Sequence, residues 1–317
     1  MILSTMTNEM RAVVVEAFGE PEALKVRAVA KPEPAMGEIL VEVRAAGVNA
    51  FDWLVRRHGY WFSTPWVPGW DVSGVVAAVP AGENRFRVGD EVFGMPHLPR
   101  PAGAYAEYVA APARHFARKP ANVDHAQAAA LPLAALTAWQ VLTEAAGVKP
   151  GDRVLVHAAA GGVGHVAVQL AKALGAWVIG TASAGKHDLL RELGADELVD
   201  YRTRDFGELD DVDVVVDLVG GDYEERSMRV LKPGGVYVGL TDPSRLPELL
   251  VMAEALGVRA KTVSVAPDHA ALEHLAGLVE RGELRAVVAE TFPLEDVVKA
   301  HEVGEANRTT GKLVLTV

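Results

Sequence analysis

The chain has 317 residues, half of them apolar, with 31 Lys and Arg against 42 Asp and Glu for a formal net charge of −11, and it contains no cysteine. That length is more than one hydrophobic core comfortably holds, so two domains are expected. The acidic balance is spread along the chain and disfavours nucleic acid as a partner, while the missing cysteines remove disulfides, thiol nucleophiles, thiolate zinc sites and iron–sulfur clusters together.

No run reaches the roughly 18–20 consecutive apolar residues that a membrane span needs. The N-terminal MILSTMTNEMRAVVV lacks the basic region, apolar stretch and small-residue cleavage site of a secretory signal. A cytoplasmic protein without a membrane partner is expected. Of the ten histidines none pairs at helical i, i+4 spacing: His269 and His274 are five apart, and His157 and His165 lie on different sides of a turn. They read as surface or core residues, and no metal site is expected.

In chain order, residues Arg11 to about Pro120 carry short β-like runs, AVVVEA, ILVEVRAAGV, VSGVVAAV and GDEVFG, separated by Gly and Pro clusters. Within this β-rich half, GYWFSTPWVPGWD at 59–71 compresses five aromatic rings and two prolines into thirteen positions. Rings at that density either fill a core or wall a pocket. From about Leu133 the texture changes to RVLVHA, a helix from Gly162, WVIGTA, a helix near Lys186–Leu193, ELVD, VDVVVDLV, a helix near Tyr223–Leu231, and GVYVGL. Buried strands alternating with helices specify an α/β fold, a doubly wound parallel sheet covered on both faces. After about Pro267 the helical ALEHLAGLVERG leads to GKLVLTV, a closing strand expected to return to the first domain. The predicted segments are 1–132, 133–267 and 268–317.

The first strand of the α/β part runs into HAAAGGVGHVAVQLAKALGA. Val163, Val166, Ala167, Leu170, Ala171 and Leu174 mark one helical face, so the glycines sit at a strand-to-helix turn. Ala159, Gly161 and Gly164 form an A-x-G-x-x-G version of the dinucleotide fingerprint. Gly161 lets backbone approach a pyrophosphate, Gly164 lets the helix pack on the strand, and the amides of Ala160, Gly161, Gly162, Val163 and Gly164 with the helix dipole attract negative charge. NAD sites place an acid about 20 residues further on, against the ribose hydroxyls. Here TASAGKHD puts Ser183 in that place and Lys186 at the start of the next helix. A lysine there is unfavourable against the positive helix end unless an anion sits beside it. A ribose 2′-phosphate supplies one, so NADPH is expected over NADH; the alternative is a solvated lysine.

Taken together and in order, GVNAFDW (47–53), PGWDVSGVV (68–76), VGDEVFG (88–94), GAYAEYV (103–109), AAALPLAALTAW (128–139), HAAAGGVG (157–164), LGADELVDYR (193–202) and LKPGGVYV (231–238) resemble the medium-chain dehydrogenase/reductase superfamily. Within it they are similar to the zinc-free quinone oxidoreductase branch that includes zeta-crystallin. The resemblance covers nearly the whole chain. It implies a GroES-like β-rich catalytic domain beside the Rossmann domain, a nicotinamide in the cleft between them, and a homodimer. Zinc-dependent alcohol dehydrogenases, also similar, hold their metal with cysteine and with the histidine of a G-H-E stretch, which here reads Gly69-Trp70-Asp71. Without Lewis-acid polarisation, the expected substrate is a quinone or α,β-unsaturated carbonyl, whose conjugated system spreads the developing charge.

By the same resemblance Asn49 and Thr137 lie beside the cofactor, Lys186 and Tyr201 grip the adenosine 2′-phosphate, and Val219, Thr241, Val265 and Lys312 line the rest of its site. Each of the main positions has a plainer reading. Asn49 and Asp52, at N-x-x-D spacing, cap the helix that begins there; Thr137 back-bonds to its own turn; Tyr201 is a half-buried ring at a strand end. The aromatic stretch falls where zinc-bearing relatives surround their metal. Tyr60, Trp61 and Trp70 are therefore expected to line a flat apolar slot, with Phe62 and Trp66 left in the core. The expected reaction is hydride transfer from NADPH, with rate from proximity and alignment, and water, Tyr60 or Asp52 delivering the proton. The rival readings are an enoyl-thioester reductase and a non-catalytic NADPH-binding protein of the crystallin kind.

Overall fold

The computed structural model describes residues 8–82, 85–240 and 242–317. Its contacts divide the chain into two units: the described residues up to Leu133 with 266–280 and 288–317, and 134–265 with 281–287. The junctions fall at Leu133/Ala134 and Val265/Ala266, and residues 281–287 leave the C-terminal segment for the second unit.

The first unit opens with β1 (Glu9–Val15) and β2 (Leu24–Ala30), an antiparallel pair. It continues through β3 (Glu38–Val48), β4 (Val72–Ala78), β5 (Glu91–Gly94), β6 (Tyr108–Pro112) and β7 (Phe116–Arg118). The second unit holds β8 (Arg153–Val156), β9 (Trp177–Thr181), β10 (Glu197–Val199), β11 (Val212–Asp217), β12 (Leu231–Gly239) and β13 (Arg259–Thr262). The chain then returns to the first unit with β14 (Val288–Pro293) and β15 (Lys312–Thr316).

The larger sheet of the first unit runs β14-β15-β3-β4-β5-β7, with β6 also on β3. The closing run therefore joins the first unit, with β15 antiparallel to β3 and Leu313 opposite Val48. Four consecutive residues of β15, Lys312 to Leu315, are buried. That is the mark of a strand covered on both faces rather than one, and it takes a lysine inside with the leucines.

The second unit is a six-stranded parallel sheet in the order β10-β9-β8-β11-β12-β13, the doubly wound arrangement. The helix after the glycine turn spans Gly164–Ala173, two residues later than expected. It is buried on nearly every side rather than on one apolar face. Segment 281–287 covers the second face: Gln169 Nε2 donates to Arg285 O at 3.0 Å, Arg285 N to Gln169 Oε1 at 2.9 Å, and Val287 N to His165 Nε2 at 3.1 Å. These bonds explain why that segment belongs to this unit.

Leu315 is fully buried in the closing strand. Leu315→Ala is expected to lower the unfolding free energy by about 3 kcal/mol, transfer and cavity terms together. Urea denaturation measures it, and a loss below about 1 kcal/mol would show that β15 is not held between two packed layers.

Candidate active site

Helix Ala50–His58 begins at Asn49, whose extended backbone (φ −129°) makes it the N-cap. Asn49 N donates to Asp52 Oδ2 at 2.7 Å, so Asp52 caps the helix start as its spacing predicts. The Asn49 side chain works elsewhere: Nδ2 donates to Asp71 Oδ2 at 2.9 Å, and Oδ1 accepts from Lys312 Nζ. Lys312 Nζ also reaches Asp71 Oδ2 at 3.2 Å, and Leu133 N donates to Asp71 Oδ1 at 2.6 Å. Tyr105 completes the group, donating its hydroxyl to Asp52 Oδ2 at 2.9 Å.

All five side chains are buried. One ammonium thus serves two carboxylates, and Asp71 has the direct contact. Burial pushes the Asp52 carboxyl up from 3.8 to about 7, opposed by the Asn49 amide, the Tyr105 hydroxyl and Lys312, in that order. Burial, then the Asp52 charge, likewise pushes the Tyr105 phenol far above its usual range. Gly69 makes the arrangement possible. It takes φ +96°, and a Cβ there would lie 2.4 Å from the Tyr105 ring.

The aromatic stretch divides differently from the expectation. Trp70 is 0% exposed and packs on Phe51, Trp66 and Phe62 at centroid distances of 4.8, 5.7 and 5.9 Å, with Nε1 donating to Arg100 O at 2.9 Å. It is a core ring, because the space beside Asp71 is filled by side chains with which an indole packs. Phe62 and Trp66 are buried as expected. Tyr60 and Trp61 are 54% and 65% exposed and adjacent, with centroids 5.8 Å apart.

In the second unit the turn after β8 places Ala160 inside and Gly161, Gly162 and Val163 at partial exposure. A Cβ on Gly164 would lie 2.3 Å from Ala158 O, so the helix packs on the strand end at a distance only glycine allows. Thr137 is buried and its hydroxyl has no hydrogen-bond partner, which overturns the back-bond reading; Thr143 makes that bond instead, to Trp139 O at 2.7 Å. Ser183 precedes a short 3₁₀ turn ending at Lys186. Burial, and next the charge of Arg202, push the Lys186 ammonium below its usual range. The Arg202 guanidinium lies 5.7 Å from the centre of the Tyr201 ring, which is exposed.

The remaining expected positions scatter. Val219 is exposed, its N–H bound to Asp217 Oδ1 at 2.8 Å; Val265 is half-buried beyond β13; Thr241 lies outside the described residues; and Lys312 belongs to the buried network of the first unit. Asp71, Tyr105 and Arg202 were not singled out, although each lies in a motif stretch. Their chemistry shows only once the fold brings them to Lys312, Asp52 and Lys186.

The first unit thus holds a buried cation–carboxylate network, and the second a dinucleotide-type strand–turn–helix. Residues 35–121 match the alcohol dehydrogenase GroES-like domain family, and 193–315 the family described as zinc-binding dehydrogenase. A 2-methylene-furan-3-one reductase of Solanum lycopersicum is 36% identical over 98% of this chain and 80% of its own length. An NADPH-dependent alkenal/one oxidoreductase, chloroplastic, of Arabidopsis thaliana is 34% identical over 98% and 81%. The solved quinone oxidoreductase of Coxiella burnetii superposes with a TM-score of 0.92 at 36% identity, covering 98% of this chain and 99% of that one. The chain belongs to the medium-chain dehydrogenase/reductase superfamily, in its zinc-free quinone oxidoreductase branch.

The zinc implied by one family description does not fit these residues. No cysteine exists, Trp70 is locked in the core, and Asp71 is spent on Lys312, Asn49 and Leu133 N. Among the described residues no group of three or more metal-ligating side chains is assembled, and no helix is long and apolar enough to cross a membrane. The residues are compatible with a dinucleotide: Gly164 allows the close helix-on-strand packing of such a turn, and the buried Thr137 hydroxyl has no protein hydrogen-bond partner.

The Asp52 shift has a definite sign. Between about pH 4 and pH 7 the native chain holds a proton that the unfolded chain has released, so this carboxyl subtracts stability as the pH rises. The stability of Asp52→Asn relative to the parent is expected to grow by roughly 3 kcal/mol between pH 5 and pH 8. Urea unfolding at both values tests this; an unchanged difference would mean that Asp52 is ionised throughout.

Proposed function

We propose that this chain is an NADPH-dependent reductase that delivers hydride to a quinone or α,β-unsaturated carbonyl without zinc. The observation that carries the reading is the Lys312–Asp71–Asn49 network with Trp70 sealed beside it, which leaves no donor set for a Lewis acid where zinc-dependent relatives hold theirs. A carbonyl acceptor then has to spread its own developing charge, and a conjugated one does so. The reductases of tomato and Arabidopsis and the Coxiella oxidoreductase support that acceptor class by their names.

NADPH supplies the hydride when bound. The chain's own residues hold and orient it. The amides from Ala160 to Gly164, apart from that of Gly161, which is bound to Ala158 O at 2.8 Å, take the pyrophosphate at the positive end of the helix. Lys186 and Arg202, two cations kept close, with Ser183 and Tyr201 take the 2′-phosphate. The Thr137 hydroxyl, Val219, Thr241 and Val265 serve the rest of the cofactor. Tyr60 and Trp61 offer exposed faces for a flat acceptor. Asp52 is enclosed and does not touch an acceptor, so it and Lys312 act by holding Asn49, while Tyr60 or water supplies the proton. A cytoplasmic homodimer belongs to the same reading, and light scattering tests the dimer.

The deciding assay is loss of NADPH absorbance, with NADH as control, against quinones, enones and crotonyl thioesters. Quinones or enones are expected to be reduced. Thioester reduction alone would instead favour an enoyl-thioester reductase, and cofactor binding without turnover a non-catalytic protein. Lys186→Ala and Arg202→Ala are each expected to raise KM for NADPH about tenfold or more while leaving NADH nearly unaffected. Equal losses for both cofactors would remove the 2′-phosphate assignment. Trp61→Ala is expected to raise KM for the acceptor several-fold at unchanged NADPH affinity.

A further inference from the structure

His157 is the first residue beyond β8 and is fully buried beneath the glycine turn. Its Nδ1 lies 3.1 Å from Thr181 Oγ1 at the end of β9, and its Nε2 lies 2.9 Å from Ser227 Oγ in helix Tyr223–Arg229. Its backbone N–H donates to Val216 O of β11 at 3.0 Å. The rings of Phe206 and Tyr223 stand edge-on to the imidazole at 4.5 and 5.0 Å. Both ring nitrogens are therefore satisfied by protein hydroxyls in an enclosed place. Burial holds the imidazole down at about 4, with Asp217 opposing and Arg226 adding to the shift, so the ring is neutral near pH 7.

The next residue shows what this arrangement is for. Ala158 adopts φ +47°, a left-handed conformation that a residue with a Cβ holds only when its neighbours over-determine it. Thr181 supplies much of that determination. Its Oγ1 accepts from Ala158 N at 3.3 Å and its carbonyl from Ala159 N at 3.0 Å, while Gly161 N returns to Ala158 O at 2.8 Å. The Ala158 carbonyl is the group against which Gly164 packs. Hence the Thr181 hydroxyl, oriented by His157, fixes the strained residue from which the whole turn takes its direction.

We propose that His157 is a positioning residue for the dinucleotide, acting through Thr181 and Ser227 to lock the glycine turn to the end of β9. The inference rests on the reading of that turn as the cofactor site. Thr181 lies two residues before Ser183 and five before Lys186, so the tie joins the turn assigned to the pyrophosphate with the loop assigned to the 2′-phosphate. Because the turn serves any nicotinamide dinucleotide, loosening the tie weakens NADPH and NADH alike, unlike loss of Lys186.

The test uses Ser227→Ala, Thr181→Val and the conservative Thr181→Ser, with His157→Phe where it folds. Kd for NADPH and NADH is read by nicotinamide fluorescence, Tm by calorimetry, and hydrogen exchange at amides 158–164 without cofactor. Ser227→Ala and Thr181→Val are expected to weaken both cofactors about tenfold and to speed exchange across the turn, whereas Thr181→Ser stays within about twofold of the parent. Lowered Tm with unchanged Kd and unchanged exchange overturns the proposal and leaves His157 a packing residue. Should the parent bind neither cofactor, the reading of the turn as a dinucleotide site fails, and the exchange data still decide whether the tie exists.

Discussion

The buried ion pair between Lys312 and Asp71 is the constraint from which the first unit's site follows. β15 is covered on both faces, so its first residue enters the interior with its charge. A buried ammonium without a partner shifts or unfolds the structure, and breaking such a pair costs about 3–5 kcal/mol. Asp71 answers it, held in place by the Leu133 amide and by the left-handed turn at Gly69. Asn49 fits between the two charges and satisfies both, which fixes the start of helix Ala50–His58. Asp52 is then a second carboxylate near a cation already engaged, so desolvation dominates and the group keeps its proton to near neutrality. Capping, ion pairing and the perturbed acid are consequences of one ammonium being shared.

The aromatic residues follow from the same arrangement. Once Asp71 is neutralised internally, the neighbouring volume has no charge that needs a polar ligand, and a large apolar ring is the stable occupant. Trp70 takes that place, anchored by its N–H on Arg100 O, with Phe51, Phe62 and Trp66 packed around it. The rings left over, Tyr60 and Trp61, lie at the surface of the cluster. They are the aromatic faces of this stretch left exposed.

The long patterns of the sequence were legible and the short ones were not. β8, β9, β11 and most of β12 read clearly as apolar runs because a parallel sheet buries both faces. The helix after Gly164 was visible from its periodicity, though its burial on all sides was not, since the covering segment 281–287 is more than 100 residues away. β13, with two cations among its four residues, and β14, mostly exposed, lack the pattern that marks a strand; both are held by pairing with a neighbour. At the start of helix Ala50–His58, the cap made by Asn49 and Asp52 was readable from its spacing. Trp70 was misplaced because residue type tells that a ring will be sheltered, while the side from which it is sheltered depends on Asp71 and Lys312, 241 positions apart. Arg202 and Tyr105 lie in motif stretches, but the groups they act on, Lys186 and Asp52, are set by the fold.

A chain with net charge −11 for which a phosphorylated dinucleotide is proposed presents an apparent conflict, and locality in the second unit resolves it. Fields from distant acids decay within about 8–10 Å at physiological salt, so the total charge does not reach a shielded anion site. What acts there is the helix N-terminus at Gly164, and the charge of exposed Arg202 acting on half-buried Lys186, where like charges disfavour one another. On the proposed reading, a phosphate held by these cations would offset that repulsion, while a neutral ribose hydroxyl would not. The overall acidity is therefore compatible with the proposed preference for one phosphate on one ribose. On that proposal the preference rests on Lys186 after β9 and Arg202 after β10, and on the tie through Thr181 that sets where the first of these loops begins.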